Sequence, residues 1–211
     1  MKKELIINKS KTIIVILAGG QSRRFGGGYK TLYTFNKISI LDRIIQNFKK
    51  LEVEIVLNTN SNEDQFLKTG LHLIKDELEN FQGPLAGIYS SMKWVLENRK
   101  NIEWIFTSPS DTPFLNKSLV NKFLSTNYNN KTNIVIAKSS NKTHPVIGFW
   151  HISLIKSLEE FLAKDNRKIM HWVERHNYEI LNFENKNNFF NINTQADLDE
   201  AIKIEESLKT L

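Results

Sequence analysis

The sequence predicts an α/β protein: a single-domain, three-layer αβα fold with a Rossmann-like, mainly parallel sheet. Three observations carry this reading. Apolar β-branched runs alternate with segments of helical period along the whole chain, which is the pattern of a parallel sheet covered on both faces. The run Thr12 to Leu17 (TIIVIL) has no polar face, as expected of a strand buried on both sides. Five of the nine glycines lie between Gly19 and Gly28, directly after that strand.

The elements follow in order. After the first strand, Leu41, Ile44, Ile45 and Phe48 recur at helical spacing. Glu54 to Thr59 (EIVLNT) reads as a strand, and Leu85, Ile88, Met92, Val95 and Leu96 mark a second helix. Trp104 to Ser108 reads as a strand, followed by a helix beginning near Asn116 on Leu119, Val120, Phe123 and Leu124. The polar stretch Thr126 to Asn133 reads as a loop. Asn133 to Lys138 and His144 to Trp150 read as strands, and Leu154, Ile155, Leu158, Phe161 and Leu162 as a helix. The last helix starts at Thr194, where Asp197 three residues on suggests a capping box with Asp in place of the usual Glu. The four prolines, Pro84, Pro109, Pro113 and Pro145, are expected in loops beside strand ends or helix starts. Trp94, Trp104, Trp150 and Trp172 are read as core.

Composition narrows the chemistry. The chain of 211 residues is 40% hydrophobic and 25% charged, ordinary for a globular protein large enough to need no covalent staple. It has no cysteine, which removes disulfides, thiolate metal sites and thiol nucleophiles and suggests a reducing, cytoplasmic setting. The net charge of +6 admits anionic partners, but the charges are scattered and most simply describe a solvated surface. No apolar run approaches the roughly 18 residues of a membrane span. Leu5-Ile6-Ile7 behind the basic start is too short for a signal-peptide core. Neither a nucleic acid nor a membrane is expected as a partner.

In open α/β sheets the ligand lies beyond the carboxyl ends of the strands, where these glycines fall. The segment LAGGQSRRFGGGYK, Leu17 to Lys30, leaves a buried strand and carries three cations, Arg23, Arg24 and Lys30. Glycines let backbone N–H groups approach phosphate oxygens, and the cations can neutralise a triphosphate. It is not a P-loop, since Tyr29 precedes the lysine, and it lacks the dinucleotide pattern G-x-G-x-x-G. Asp111 ends a strand in SPSDTPF, where a carboxylate can hold Mg²⁺ or serve as a turn residue. Asp76 can accept from guanine N1–H and N2–H₂, or face solvent beside Glu77. Gly83-Pro-Leu-Ala-Gly87 can set backbone groups against a base, or simply begin a helix. Asn58 offers donors and acceptors at a strand end, or serves a turn.

LAGGQSRRFGGGYK resembles the signature of sugar-phosphate-type nucleotidyltransferases, L-A-G-G-x-S-x-R-M-G followed by a lysine. Within them the chain is most similar to the molybdenum cofactor guanylyltransferase family (MobA-like nucleotidyltransferases). Asn58-Thr-Asn60, Asp76, Gly83 to Gly87, Ser110 to Phe114, His144-Pro145 and Asn191-Ile-Asn193-Thr194 extend the likeness over most of the chain. Two positions depart: Tyr29 stands where the family commonly has Asp, and Phe25 where it has Met.

The resemblance implies a fold of the nucleotidyltransferase type over residues 1–211, with a nucleotide-binding N-terminal half and an acceptor-binding C-terminal half. It implies GTP as substrate, Mg²⁺ as cofactor and Mo-molybdopterin as acceptor, with molybdoenzyme maturation proteins as further partners. Arg24, Lys30 and Asp111 would be catalytic, and Asp111 would hold the metal. Leu17, Ala18, Gly19, Gly20, Lys30, Asn58, Asp76, Gly83, Pro84, Leu85 and Asp111 would bind the nucleotide. His144, Arg167, Lys168, Asn191 and Asn193 would bind the acceptor. A cytidylyl transferase to the same pterin, a sugar-phosphate nucleotidyltransferase, and a non-catalytic nucleotide-binding protein remain as alternatives.

Overall fold

The computed structural model describes residues 4–19, 29–62, 64–78 and 83–209. The chain opens with β1 (Glu4–Leu5) and β2 (Thr12–Leu17), then a small hairpin, β3 (Thr34–Phe35) and β4 (Ile38–Ser39), that leads into α1 (Ile40–Lys49). Next come β5 (Ile55–Asn58), the single turn α2 (Asp64–Leu67), β6 (His72–Ile74), α3 (Pro84–Asn98), β7 (Trp104–Pro109) and α4 (Lys117–Ser125). The second half holds β8 (Tyr128–Asn129), β9 (Ile134–Ser139), β10 (Lys142–His151), α5 (Ile155–Leu162), α6 (Ile169–Val173), β11 (Tyr178–Phe183) and α7 (Gln195–Lys209).

Seven strands form one sheet in the order β11-β9-β10-β7-β2-β5-β6. β2 pairs in parallel with β5 and β7, β5 with β6, and β11 with β9. Only β10 runs the other way, antiparallel to both β7 and β9. Both halves of the chain therefore build one mainly parallel sheet, as expected. The β2 run is apolar throughout because its alternate residues enter different cores. Ile14 and Ile16 pack under α1 and α4, while Ile13 and Val15 pack under α3 and α5.

The expected helix starts hold for physical reasons. Asn116 caps α4 by accepting from Leu119 N–H at 3.0 Å. At α7, Thr194 Oγ accepts from Asp197 N–H at 3.2 Å while Asp197 returns a carboxylate oxygen to Thr194 N–H at 2.8 Å, so aspartate closes the capping box.

Four readings change. Two of the prolines expected in loops lie in strands: Pro109 is the last residue of β7, opposite Leu17, and Pro145 is inside β10, where the register with β9 shifts between His144 and Gly148 and the ladder loses nothing by the missing N–H. Tyr128 and Asn129, expected in a loop, pair with β1, and the buried Tyr128 donates its hydroxyl to Phe123 O at 2.8 Å. Leu96 stands on the solvent side of α3. Trp104, Trp150 and Trp172 are core, but Trp94 is only partly buried, stacked on His72 and covered by Arg99.

Candidate functional site

Six of the seven strands point their carboxyl ends the same way, and six of the polar residues singled out from the sequence, Lys30, Asn58, Asp76, Asp111, Asn191 and Asn193, gather there in two clusters. The first is built by β5, β6 and α3. Asn58, buried at the end of β5, donates from Nδ2 to Ile74 O at 3.2 Å and to Asp76 Oδ1 at 2.9 Å. Asn60 donates to the other carboxylate oxygen of Asp76 at 3.0 Å and accepts from Asp76 N–H at 2.8 Å. Asp76 thus turns inward, away from Glu77, which pairs with Lys93. Its carboxylate is oriented by two amides, and each oxygen keeps a further lone pair for donors of a ligand.

The N-terminus of α3 closes this cluster. Gly83, before the helix, has φ 122°, a backbone conformation that favours glycine, and Pro84 takes the first helical position. One turn on, Gly87 lies against Asn58 and Leu17 so closely that a Cβ there would stand 2.3 Å from Asn58 Oδ1. Ala18 N–H donates to Asn58 O at 2.8 Å, which ties the start of the glycine loop to the same asparagine. Leu85 is buried beneath.

The second cluster joins residues far apart in sequence. Lys30 Nζ donates to Asp111 Oδ2 at 2.5 Å and to Asn193 Oδ1 at 2.6 Å. The Lys30 and Asp111 side chains are 18% and 16% exposed, so the pair is largely shielded yet open to a ligand. Thr112 donates its hydroxyl to Asn191 Oδ1 at 2.8 Å, and Asp111 O accepts from Ile192 N–H at 2.9 Å. The segment Asn191 to Asn193 is thereby laid across the end of β7. Ser110 N–H donates to Leu17 O at 3.0 Å, and Thr31 Oγ to Ser110 O at 2.9 Å, so the end of β2 and the lysine turn are both anchored to this strand end. Tyr29 contacts Phe66 of α2 edge-on, with ring centroids 5.1 Å apart. Where the resemblance sets a carboxylate, this chain has an aromatic anchor for the lysine turn.

The expected acceptor residues divide. Asn191 and Asn193 stand with Lys30 and Asp111. Arg167 is exposed and pairs with Asp165 at 3.0 Å, and Lys168 caps the short α6 through its backbone, with no bond from either to the second cluster among the described residues. His144 stacks on Phe189 at 4.4 Å and shares a 2.8 Å hydrogen bond with Ser139 Oγ. Gly20 and Arg24, with Arg23 and Phe25, lie outside the described residues; Gly19 is exposed at their edge. Asn60, Thr112 and Gly87 belong to the clusters but were not singled out. All three stand inside the motifs Asn58 to Asn60, Gly83 to Gly87 and Ser110 to Phe114, but nothing in the sequence sets them apart from their neighbours there.

Burial, with the charge of Lys142 adding to it, pushes the His144 pKa down to about 4. At pH 7 it presents a neutral imidazole and no cation. Because the folded value lies below the ordinary 6.5, the unfolded chain binds more protons between about 4 and 6.5. Stability is therefore full above that window and is lost as pH falls through it, by about 1 kcal/mol after discounting for solvent screening. His151 and His176, also pushed down by burial, act in the same sense. His144→Gln should flatten part of the dependence of urea midpoint on pH between 6.5 and 4. An unchanged slope would assign that loss to other groups.

Residues 14–180 match the MobA-like NTP transferase domain. The chain is 37% identical over 193 residues to a molybdenum cofactor guanylyltransferase of Nitrobacter hamburgensis, covering 90% of this chain and 92% of that one. It is 33% identical over 189 residues to the enzyme of that name from Haemophilus influenzae, covering 89% and 96%. Its fold resembles molybdopterin-guanine dinucleotide biosynthesis protein A from Archaeoglobus fulgidus, with TM-score 0.72, 19% identity, and 92% and 99% of the two chains covered. It also resembles a 4-diphosphocytidyl-2C-methyl-D-erythritol synthase from Anaerococcus prevotii, with TM-score 0.68, 13% identity, and 92% and 96% covered. The fold alone therefore does not select a base.

Proposed function

This chain belongs to the MobA-like NTP transferase family of nucleotidyltransferases, and we propose that it transfers GMP from GTP to the terminal phosphate of molybdopterin. A phosphate oxygen of the acceptor attacks the α-phosphorus, the bond from that phosphorus to the bridging oxygen breaks, and pyrophosphate leaves. The observation that supports this most is the meeting of Lys30 with Asp111 and Asn193 at the carboxyl ends of β2 and β7. The acceptor phosphate is ionised at pH 7, so the reaction asks for positioning and charge neutralisation more than for a general base. Lys30 holds phosphate charge, and Asn58 with Asp76 and the first turn of α3 holds the base. Asn191 and Asn193, which stand beside Lys30 and Thr112, are assigned to the acceptor next to the α-phosphate. Arg167, Lys168 and the neutral His144 are assigned to the outer part of the acceptor, and Arg24 to the triphosphate.

Mg²⁺ fits this site. Asp111 offers a hard anionic oxygen that is shielded but reachable. Among the described residues no three His, Cys, Asp or Glu side chains cluster to hold a metal alone. The remaining ligands would be phosphate oxygens and water, the usual habit of this ion. When bound it supplies charge stabilisation at the transferring phosphate.

No helix among the described residues is long and apolar enough to cross a membrane. A cytoplasmic site of action and hand-over to molybdoenzyme maturation proteins complete the proposal.

The deciding experiment measures pyrophosphate release with Mg²⁺, using GTP, CTP, ATP and UTP in turn, with and without molybdopterin as acceptor. Release is expected with GTP and only when acceptor is present, because a fixed carboxylate suits the two donors of guanine and rejects bases that present acceptors there. Equal turnover with CTP would overturn guanylyl transfer. GTP binding with no release under any of these conditions would make the chain a binder.

A further inference from the structure

We infer that Asp197, in the first turn of the last helix, is a positioning residue for Lys30: it grips the backbone of Asn193 and so fixes the amide that holds the loop ammonium. An ordinary capping box ends at the cap residue, here Thr194. In this chain the same oxygen, Asp197 Oδ2, also accepts from Asn193 N–H at 2.9 Å, one residue before the cap. Asn193 is the residue whose side-chain oxygen takes Lys30 Nζ at 2.6 Å. Asp197, Asn193, Lys30 and Asp111 thus form one continuous chain of polar contacts spanning the sequence from residue 30 to residue 197.

The far end of α7 is fixed independently. Glu205 pairs with Arg43 of α1 and accepts from Asn36 Nδ2 of the β3–β4 turn at 2.6 Å. Arg43 in turn donates to Phe35 O at 2.6 Å and lies over the Phe35 ring. The helix is therefore a braced rod whose tip carries Asn193, and Asp197 sets the angle at which that tip meets the lysine. The charges agree with the geometry. Burial raises the Asp197 pKa, but hydrogen bonds from Asn193 and Thr194 and the nearby charge of Lys30 outweigh it and hold the carboxyl below its usual range. Asp197 stays ionised at pH 7 and faces Lys30 as part of its electrostatic surroundings.

The catalytic side of this inference rests on the proposed function, but the grip itself is testable without turnover. Three variants separate positioning from plain capping. Asp197→Ala removes both bonds. Asp197→Glu restores the usual capping-box residue, whose longer side chain still reaches both N–H groups. Thr194→Ala removes the cap but leaves the grip on Asn193.

One readout is the rate at which acetic anhydride modifies the Lys30 amine, followed by peptide mass. The other is kcat and KM for pyrophosphate release. Asp197→Ala is expected to raise Lys30 acetylation several-fold and to lower kcat roughly tenfold, the scale of a lost supporting contact. Little change is expected in KM for GTP. Asp197→Glu should return both readouts toward wild type, and Thr194→Ala should lower the melting temperature without moving either. The inference is overturned if Asp197→Ala merely loses melting temperature as Thr194→Ala does, with Lys30 acetylation and kcat unchanged. If the wild-type chain released no pyrophosphate at all, the proposed function would fall, and the acetylation comparison would still decide the role of Asp197.

Discussion

Asp111→Asn is expected to keep the fold and to lose turnover by about 10²- to 10³-fold, the scale of one lost electrostatic partner at a reacting phosphoryl centre. The amide has the shape of the carboxylate and can still accept from Lys30. It lacks the negative charge that a divalent cation requires and that balances the ammonium. The backbone of Asp111 should hold its place, because its carbonyl takes Ile192 N–H and its neighbour Ser110 is tied to Leu17. Removing one member of a fully buried ion pair costs roughly 3–5 kcal/mol. Here both side chains keep some exposure and the amide retains a hydrogen bond, so about 1–2 kcal/mol is expected instead. Thermal unfolding and pyrophosphate release, measured together on one preparation, separate the two effects. Raising Mg²⁺ should recover little of the lost rate, since a neutral amide binds the ion poorly at any accessible concentration. Turnover near that of the wild type would take Asp111 out of the reaction.

This pair also marks how far the sequence could be read. Asp111 was legible because prolines and short polar residues mark the end of a buried strand. Lys30 was legible because glycines crowd before it. Their contact with each other, and with Asn193, was not, because it joins segments 81 and 163 residues apart. No local rule of period or capping reports such a pairing. Asn191 and Asn193 consequently stood in a single acceptor group with Arg167 and Lys168, whose bonds are local.

The same contrast governs the fold. β2 declared itself because both its faces are covered. β11 went unread because it is an edge strand whose Glu179 and Asn182 interrupt the apolar run. β6 has only three residues, too few for any period to show. The two-residue pair of β1 with β8 exists only because distant segments meet. Asn60 and Thr112 lie inside recognisable motifs, yet their individual roles are not legible there for another reason. Short polar side chains are ordinary in turns, and only their partners distinguish these two.

Gly87→Ala is expected to weaken GTP binding about 10- to 100-fold while leaving the chain folded. The position is tight in a specific direction: an added Cβ would stand 2.3 Å from Asn58 Oδ1 and 2.9 Å from Leu17 Cδ2. Helix α3 cannot easily retreat, because Leu85, Ile88 and Met92 of the same helix are buried against the sheet. The side chain of Asn58 must move instead, and it is held by Ile74 O and by Asp76. Its displacement breaks those bonds and frees the carboxylate that the proposed guanine contact needs. Overpacking of this kind costs about 1–3 kcal/mol, within the 5–15 kcal/mol that domains usually hold in reserve. If that energy falls on the binding-competent arrangement of Asn58, it converts to roughly the stated loss of affinity at 1.4 kcal/mol per decade. Titration calorimetry with Mg-GTP reads it directly, and a cycle with Asn58→Ala identifies the route. The double variant should bind no worse than Asn58→Ala alone, since the methyl group then has no amide to displace. Additive losses, or wild-type affinity in Gly87→Ala, would show that the contact between α3 and Asn58 does not govern the nucleotide.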